Sequence, residues 1–434
     1  MRVLYWFRRD LRAFDNRALS EASSTSDRVA AVYVLDPRLL GVPDLAVENP
    51  RISLVADALL KLSSEVELHV LHGRAPEVFE ELLGRYCFNA VYTAKPISWS
   101  EEEVVDEVRE VCSRNGVKLV EVVDNVLVDP SRIKPVGTFT AFYRQWRKLV
   151  DTERVGRVRR DRFAGVDAPS AGEVLRKLGI DTRRVWLWSV DWGLRRVELF
   201  DYSSYSRLRD YPHLDGSSKL SPYISVGAIS IRELYERASG VSEEFVRQLA
   251  WREFYYYLKS RYPWMRRLEL KPRMRGIEWE NDEHLVEAFK EGRTGYPIVD
   301  AGIRQLKSEF WIHNRVRLVV ANFLVKDLHV DWRIGEDFFR EYLVDYDEVL
   351  NAGNWQWSAS VGVDPVPIRV FNPIKQVEKY DPDCAYVKKY IPELEGYSCR
   401  EIADPLTHKL RGYYEPVVDH YERVRKFASL AKMK

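Results

Sequence analysis

Polar and aromatic side chains are concentrated between residues 311 and 357 in a pattern that suits a polar, flat ligand. The segment reads WIHNRVR from 311, VDW from 330 and DYDEVLNAGNWQWSAS from 345. Residues three and four apart are neighbours on a helix, so Asn314, Arg317 and Leu318 share one face. The carboxylates Asp345 and Asp347 and two tryptophans follow. The glycine and asparagines of NAGNWQW are typical of a loop that cradles a ligand.

A second polar segment, DGSSKLSPYISVGAIS at 215–230, resembles an anion site. Hydroxyls and an ammonium group stand just ahead of Pro222, and proline suits the first turn of a helix. Backbone N–H groups and the positive end of a helix dipole favour a diphosphate there. Serine-rich caps are common without any ligand, so this segment gains weight only from the residues downstream. Its candidate residues are Ser217, Ser218, Lys219 and Ser221.

The helical pattern RQLAWREFYYYL at 247–258 supplies a third group. An apolar stripe of Phe254 and Leu258 is typical of a core helix. Gln248 and Trp251 are the two side chains that we assign to a ligand instead.

These residues need a scaffold, and the first third of the chain predicts a doubly wound parallel α/β sheet. Short Val-, Leu- and Tyr-rich runs at 2–7, 29–35, 67–72, 90–94 and 118–123 alternate with helical patterns at 52–62 and 101–114. Ser100 and Glu103 predict a capping box at the start of the latter helix. No glycine-rich phosphate loop follows the first strand.

With 434 residues, the chain predicts more than one domain. We assign 1–128 to the α/β domain, 129–196 to a basic connector and 197–434 to a larger all-helical domain. The connector carries 16 basic and 8 acidic side chains, which suits either a polyanion partner or a solvated linker. Long helices are predicted at 242–262, 284–291, 311–328 and 336–343.

Composition narrows the setting. No window of eighteen apolar residues and no secretory signal are found, which predicts a cytoplasmic protein without a membrane span. The cysteines show no spacing typical of zinc or of a redox motif, so reduced thiols and no metal are expected. They are Cys87, Cys112, Cys384 and Cys399.

The motifs together resemble the photolyase/cryptochrome family, and most closely its class I cyclobutane pyrimidine dimer branch. They run in order along nearly the whole chain: WFRRDLRAFDNRAL, DGSSKLSPYIS, LAWREF, GRTGYPIVDAGIRQL, WIHNRVR, FLVKDL, DYDEVLNAGNWQWSAS and FNPIKQ. The resemblance implies an α/β antenna domain and a helical domain that binds FAD. It also implies light-driven electron transfer from reduced FAD to a pyrimidine dimer flipped out of DNA, by a monomer that needs no protein partner.

The resemblance also implies roles for single residues. Asn351 matches the residue that faces the reactive ring nitrogen of the flavin, and a neutral amide can hydrogen-bond either protonation state of that nitrogen. Arg317 and Asp345 match an ion pair beside the flavin, while Trp355 and Trp332 match the inner members of an electron-transfer chain. Residues that match FAD contacts are Tyr205, Ser217, Ser218, Lys219, Leu220, Ser221, Arg252, Arg317, Asp345, Asp347 and Asn351.

For the substrate, Trp251 and Trp357 match the aromatic walls of the dimer pocket, and Asn314 matches a base contact. Stacking on indoles replaces the stacking that the flipped bases lose. Positions that match DNA or substrate contacts are Arg209, Gln248, Trp251, Tyr255, Asn314, Arg315, Leu318, Trp357, Arg369 and Gln376.

Three positions depart from the commonest class I pattern. Gln248 replaces a glutamate, Leu318 replaces a methionine, and Phe289 stands where the surface tryptophan of the electron-transfer chain is expected. A (6-4) photolyase would carry histidines at 314 and 318, and His313 is instead expected to be structural. A cryptochrome-type photoreceptor is the other alternative. Residues 92–104 match neither the folate nor the deazaflavin pattern, so a second flavin, another antenna chromophore or none stay open.

Overall fold

The computed structural model describes residues 2–42, 49–180 and 188–432, with side chains up to residue 430. Residues 181–187 of the predicted connector lie outside this described part. Within it, the chain forms a parallel sheet followed by a long succession of helices. No helix among the described residues combines the length and apolar character needed to cross a membrane.

The predicted sheet is confirmed, and each strand agrees with its prediction to within a residue. Five parallel strands lie in the order β3-β2-β1-β4-β5, the arrangement of a doubly wound fold. Alternate residues of the first strand pack into two separate cores: Tyr5 and Phe7 on one face, Leu4 and Trp6 on the other. Burial of both faces explains the nearly continuous apolar runs. The strands are β1 Arg2–Phe7, β2 Arg28–Leu35, β3 Leu68–His72, β4 Ala90–Ala94 and β5 Lys118–Val122.

Helices cover the sheet, and the start of the fifth helix corrects a prediction. Ser98, not Ser100, is its N-cap, because the Ser98 hydroxyl accepts from the backbone N–H of Glu101. The Ser100 hydroxyl instead donates to Glu348, far along the chain. The helices of this part are α1 Arg17–Ser24, α2 Pro37–Leu40, α3 Pro50–Ser63, α4 Ala75–Arg85 and α5 Trp99–Arg114.

The rest of the described chain is helical, as predicted, and the predicted connector itself contains helices. Strand pairing there is confined to isolated bridges that link Phe163 and Ser170 to the sheet. The helices are α6 Phe139–Leu149, α7 Ala171–Lys177, α8 Val190–Leu199, α9 Tyr205–Leu208, α10 Ser221–Val226, α11 Ile231–Ala238, α12 Glu243–Arg261, α13 Glu283–Glu291, α14 Pro297–Glu309, α15 Asn314–Lys326, α16 Trp332–Tyr342, α17 Glu348–Ser358, α18 Pro373–Tyr380, α19 Ala385–Tyr390, α20 Cys399–Ala403 and α21 His420–Lys432.

The prediction that NAGNWQW forms a loop is wrong, because these residues lie in α17. Asp347 caps this helix by accepting from the N–H groups of Val349 and Leu350. Gly353 allows close helix packing instead of a turn: a Cβ at this position would lie 2.3 Å from the ring of Tyr255 in α12. The polar side chains of the motif therefore project from a rigid helix.

The prediction of four reduced thiols is also wrong. Cys384 and Cys399 form a disulfide whose Cα atoms are 5.3 Å apart, while Cys87 and Cys112 are free. The bond joins the N-cap of α19 to the first residue of α20. A separation of 15 residues in the sequence does not reveal this proximity, since it arises only from the packing of the two helices.

Candidate functional site

A cavity of about 190 Å³ lies among α10, α12, α15, α16 and α17. It collects the polar residues of three segments that are distant in the sequence. Asn314, Arg317 and Leu318 all line it, so the prediction that they share one helix face is confirmed. The predicted site residues on its wall are Ser221, Arg252, Asn314, Arg317, Leu318, Asp345, Asp347, Asn351 and Trp355.

Asp345 is the first charged element of this cavity. Its Oδ2 accepts from Arg317 Nη2 at 2.7 Å and from the Ser221 hydroxyl at 2.6 Å. Its Oδ1 is buried and has no hydrogen-bond partner among the described residues. Buried polar atoms are nearly always paired, so this oxygen indicates a ligand that donates a hydrogen bond.

Asp347 is held by a residue that the sequence did not identify. Arg9, which follows strand β1, reaches across to place its Nη2 2.5 Å from Asp347 Oδ2, and the Tyr256 hydroxyl donates to the same oxygen at 2.6 Å. Burial by itself would raise the pKa of Asp347, but Arg9 and Tyr256 outweigh burial and hold the pKa below its ordinary value. The α/β domain therefore contributes a charge to the wall of the cavity. The only sequence signal for it was the WFRRD motif.

Asn351 presents its carbonyl oxygen to the cavity. Its Nδ2 is already committed, because it donates to the backbone oxygen of Glu336 at 3.0 Å and to Glu336 Oε1 at 2.8 Å. Burial raises the pKa of Glu336. The sequence suggested that this amide could bond either protonation state of a ligand nitrogen. Because its nitrogen is already committed, only its carbonyl oxygen is left, and this oxygen can accept from a ligand N–H.

The serine-rich segment before α10 lies beside this cavity. Arg196 donates to the backbone oxygens of Ser217 and Ser218, and Lys219 has a positive φ of 56°. The Ser217 hydroxyl is buried without a partner among the described residues. Of the predicted diphosphate group, Ser221 lines the cavity, while Ser217, Ser218, Lys219 and Leu220 precede it along the chain.

The two tryptophans that are predicted to contact the substrate have different packing partners. Trp251 stacks on Phe139, with ring centroids 3.8 Å apart and an interplanar angle of 3°. One face of this partly buried indole is therefore covered. Trp357 packs against Phe371, and the Arg369 guanidinium lies 5.1 Å from its ring centroid.

The remaining predicted contacts lie outside the cavity, and most of them are held by protein partners. Glu244 joins two of them, because it pairs with Arg209 and accepts from Gln248 Nε2 at 2.9 Å. Arg315 pairs with Asp210 at 2.8 Å and lies over the ring of Tyr380. The other members are Tyr205, whose ring packs on Phe245; Tyr255, whose hydroxyl donates to Asn354; and Gln376, whose Oε1 is buried without a partner among the described residues.

The aromatic chain leading away from the cavity is buried. The ring of Trp355 packs so closely on Gly335 that a Cβ there would lie 2.2 Å from it, and Trp332 begins the same helix one turn earlier. Phe289 is 1 % exposed and packs on Phe338, so it does not occupy a surface position. His313 is the buried N-cap of α15, and burial lowers its pKa to about 3, which confirms a structural role.

A second cavity of about 400 Å³ lies at the carboxyl ends of the strands and shares Arg9, Ser225 and Asp347 with the first. Arg51 lines it and has no carboxylate partner in the part of the chain that the structure describes: its Nη1 donates to two backbone oxygens, and its buried Nε has no partner there. Burial lowers the pKa of Arg51 to about 10. The Arg51 guanidinium carbon lies 4.8 Å from the centroid of the Tyr346 ring. This cavity suits an anionic aromatic ligand.

The described chain thus combines a parallel α/β part with a helical part, and charged side chains line both cavities. Residues 245–433 match the family described as the FAD binding domain of DNA photolyase, and residues 3–159 match the family described as DNA photolyase. The chain belongs to the DNA photolyase family.

Similar proteins span the whole chain. A deoxyribodipyrimidine photo-lyase of Alkalihalophilus pseudofirmus is 32% identical and covers 98% of this chain and 97% of its own length. A protein of the same name from Halobacterium salinarum is 34% identical over 97% and 96%. The crystal structure of an archaeal photolyase from Sulfolobus tokodaii, which holds two FAD molecules, has a TM-score of 0.91 and 36% identity over the whole of both chains.

Proposed function

We propose that this chain repairs cyclobutane pyrimidine dimers in DNA by light-driven electron transfer. The observation that carries the proposal is the double use of α15. Arg317 of this helix pairs with the cavity carboxylate Asp345, while Asn314 and Leu318, the residues matched to the dimer, line the same cavity. Bound reduced FAD, once excited, supplies the electron that splits the cyclobutane ring and takes it back.

The residues of the chain bind and orient both partners. Arg317 would attract the anionic FAD by its charge, while Asp345 and the carbonyl oxygen of Asn351 would accept hydrogen bonds from it and Asp347 would keep Arg9 at the cavity wall. A dimer is poorly stacked in DNA, so flipping it out costs less than flipping normal bases. Trp251, backed by Phe139, offers a preformed stacking face to the flipped bases.

Two alternatives use the same fold. A (6-4) photolyase is disfavoured because Asn314 and Leu318 stand where its histidines are expected. A cryptochrome would keep the FAD residues and bind without repair. Dimer repair is favoured because the relatives that match over their full length are named photo-lyases.

The deciding experiment is a repair assay with purified, FAD-loaded and reduced protein. An oligonucleotide with one cyclobutane dimer is incubated under blue light or in darkness, and the remaining dimer is quantified. We expect loss of the dimer in light alone. Binding without repair would instead identify a photoreceptor, and repair confined to a (6-4) substrate would identify that photolyase.

Two variants separate the substrate site from the cofactor site. Trp251→Ala should weaken binding of dimer DNA by about 5- to 150-fold, the equivalent of ~1–3 kcal/mol of stacking, and leave FAD content unchanged. Asp345→Ala should lower FAD content, because Arg317 loses its partner. Trp264→Ala is the matched control, since this indole is 47% exposed and packs on Tyr262. Equal dimer affinity in Trp251→Ala and Trp264→Ala would remove Trp251 from the pocket.

We also propose that Trp355 and Trp332 conduct electrons to the flavin during photoreduction. The Trp355 ring packs on Gly335 of α16, one turn after Trp332 in the same helix, which supports this path. Buried Phe289 stands where the surface tryptophan of the electron-transfer chain is expected. The transfer step between the protein surface and Trp332 therefore runs through another aromatic residue. Trp355→Phe should slow photoreduction strongly. Normal photoreduction in this variant would exclude the path.

For the second cavity we propose an antenna chromophore, with a second FAD as its identity. The buried Nε of Arg51, which has no partner among the described residues, supports an anionic ligand, and the Sulfolobus tokodaii relative holds two FAD molecules. We expect two flavins per chain after reconstitution with FAD, and one in Arg51→Met. A ratio of one in the unchanged chain would contradict a second flavin.

We further propose that the enzyme acts as a monomer in the cytoplasm, without an obligate protein partner. Gel filtration of the free protein would test its oligomeric state.

A further inference from the structure

The segment between α17 and α18, residues 359–372, has no regular secondary structure in spite of its length. It follows Trp357 and carries Arg369, whose guanidinium covers the Trp357 ring. Loops of this length are usually functional or disordered. This one exposes Val366 and Val370, each 37% accessible, beside the proposed dimer site. Its conformation therefore needs an anchor.

Two side chains one helical turn apart in α15 provide that anchor. Asn322 and Lys326 are both completely buried. Asn322 Nδ2 donates to the backbone oxygens of Ser358 at 3.2 Å and Arg369 at 3.0 Å, and Asn322 Oδ1 accepts from the N–H of Phe371 at 2.9 Å. Both ends of the loop are thus bonded to one amide.

Lys326 joins the start of the same loop to a residue near its end. Its Nζ donates to the Ser360 hydroxyl at 2.8 Å and to the backbone oxygen of Arg369. The Ser360 hydroxyl in turn accepts from the N–H of Arg369 at 3.3 Å, and Asp364 pairs with the Arg369 guanidinium at 2.7 Å. The backbone and the side chain of Arg369 are therefore both fixed from within the protein.

Burying the Lys326 amine costs free energy, because the charged group loses its contact with water. Its presence in the core therefore indicates a function. Burial lowers the pKa of Lys326 to about 7. Taking a charged group out of water carries a large free-energy cost, and only good hydrogen bonds and charge partners recover this cost. The hydrogen bonds to the loop are what the amine supplies and an apolar side chain would not.

We propose that Asn322 and Lys326 are positioning residues for DNA binding, because they hold loop 359–372 in the conformation that presents Arg369 and Trp357 to the damaged strand. This inference rests on the proposed repair function. It extends the role of α15: the first turns line the FAD cavity, and the last turns fix the DNA-binding loop. Neither side chain touches DNA itself. They act by removing the need to order the loop on binding, a cost that otherwise weakens affinity.

The test uses FAD-loaded Lys326→Met and Asn322→Leu. We expect the Kd for dimer DNA to rise about tenfold in each. FAD content, the flavin absorption spectrum and the repair yield per bound dimer under saturating protein should stay unchanged. A general structural defect would alter the spectrum or the yield as well, so the split between Kd and yield is the distinguishing readout.

His420→Gln is the matched control. His420 pairs with Asp327, the residue next to Lys326, but ties α15 to α21 and not to the loop. It should lower thermal stability without changing the Kd. A Kd increase in His420→Gln equal to that in Lys326→Met would overturn the proposal, as would a Kd within twofold of the unchanged chain in both loop-anchor variants.

Two further variants keep the test decisive if Lys326→Met folds poorly. Ser360→Gly removes the same bond from the loop side, and glycine suits the φ of 65° at this position. It should raise the Kd in the same direction. The double variant Arg369→Ala, Lys326→Met should raise the Kd by less than the product of the increases in the two single variants, because both residues act through one loop. Full multiplicativity would contradict the mechanism. If the unchanged chain fails to repair the dimer while the loop-anchor variants still raise the Kd as expected, the result counts against the repair function and not against the anchor.

Discussion

At the scale of single residues, Arg9 shows how the two domains share one site. Its guanidinium donates to Asp347 and to the backbone oxygen of Ser225, and it lies on the walls of both cavities. The Arg9 side chain is 15% exposed and that of Asp347 is 2% exposed. A pair this deep differs from a surface salt bridge, because loss of one member leaves the other as an unpaired buried charge.

Arg9→Gln should therefore destabilise the folded protein by about 3–5 kcal/mol and lower FAD retention. Chemical denaturation and the flavin-to-protein ratio are the measurements. Arg17→Gln is the control, since Arg17 pairs with Asp151, whose side chain is 43% exposed, and such pairs contribute about 1 kcal/mol or less. Similar losses in both variants would show that Arg9 has no special role.

At the scale of elements, α12 joins the dimer site to the segment after β5. Glu253 of this helix accepts from the N–H groups of Leu127 and Val128 at 2.6 and 3.0 Å, and from Trp146 Nε1 at 2.7 Å. One carboxylate thus connects three segments. It lies two residues from Trp251 and fixes the helix that presents this indole.

Glu253 predicts a specific pH dependence of stability. Burial raises its pKa from 4.5 to about 7, although the three donors and Arg252 oppose the shift. The folded protein then binds more protons than the unfolded chain between these values, so the contribution of Glu253 to stability falls as the pH rises from about 4.5 to 7. Relative to Glu253→Gln, the unfolding free energy should drop by about 3 kcal/mol across this window. Parallel pH profiles for the two proteins would refute the assignment.

At the scale of the whole molecule, buried charges hold the α/β sheet to the helices. Arg232 of α11 has no exposed side-chain surface and pairs with Asp15 at 2.9 Å and with Asp124 at 2.8 Å. Burial alone would raise the pKa of Asp124, but Arg12 and Arg232 outweigh it and keep the pKa low. Both carboxylates belong to the N-terminal part, so Arg232 links the two domains.

Arg232→Met should cost about 3–5 kcal/mol, because it leaves Asp15 and Asp124 with too few partners in a buried interface. We expect the α/β and helical parts to unfold in separate steps, which far-UV circular dichroism and flavin release would monitor. Arg237→Met, one turn and a half along α11, removes only a partly exposed pair with Glu233 and should have little effect. A single transition of unchanged midpoint in Arg232→Met would contradict this role.

Much of the fold could be predicted because it depends on local patterns. The five strands followed from apolar runs, and the face shared by Asn314, Arg317 and Leu318 followed from helical spacing. Two predictions that depended on long-range packing were wrong. Gly353 suggested a loop, but it serves the contact between α17 and the ring of Tyr255. Cys384 and Cys399 looked unpaired, but two short helices bring them together.

The sequence by itself determined the domain types, the family resemblance and half of the residues on the wall of the first cavity, because residue type and motif carry that information. Only the tertiary structure decided how these residues are oriented and which partners they have. It committed the Asn351 amide nitrogen to Glu336, brought Arg9 to Asp347 and anchored loop 359–372 on Asn322 and Lys326. These contacts join positions far apart in the chain, and hydrogen-bond direction and burial exist only once the helices and the sheet have packed.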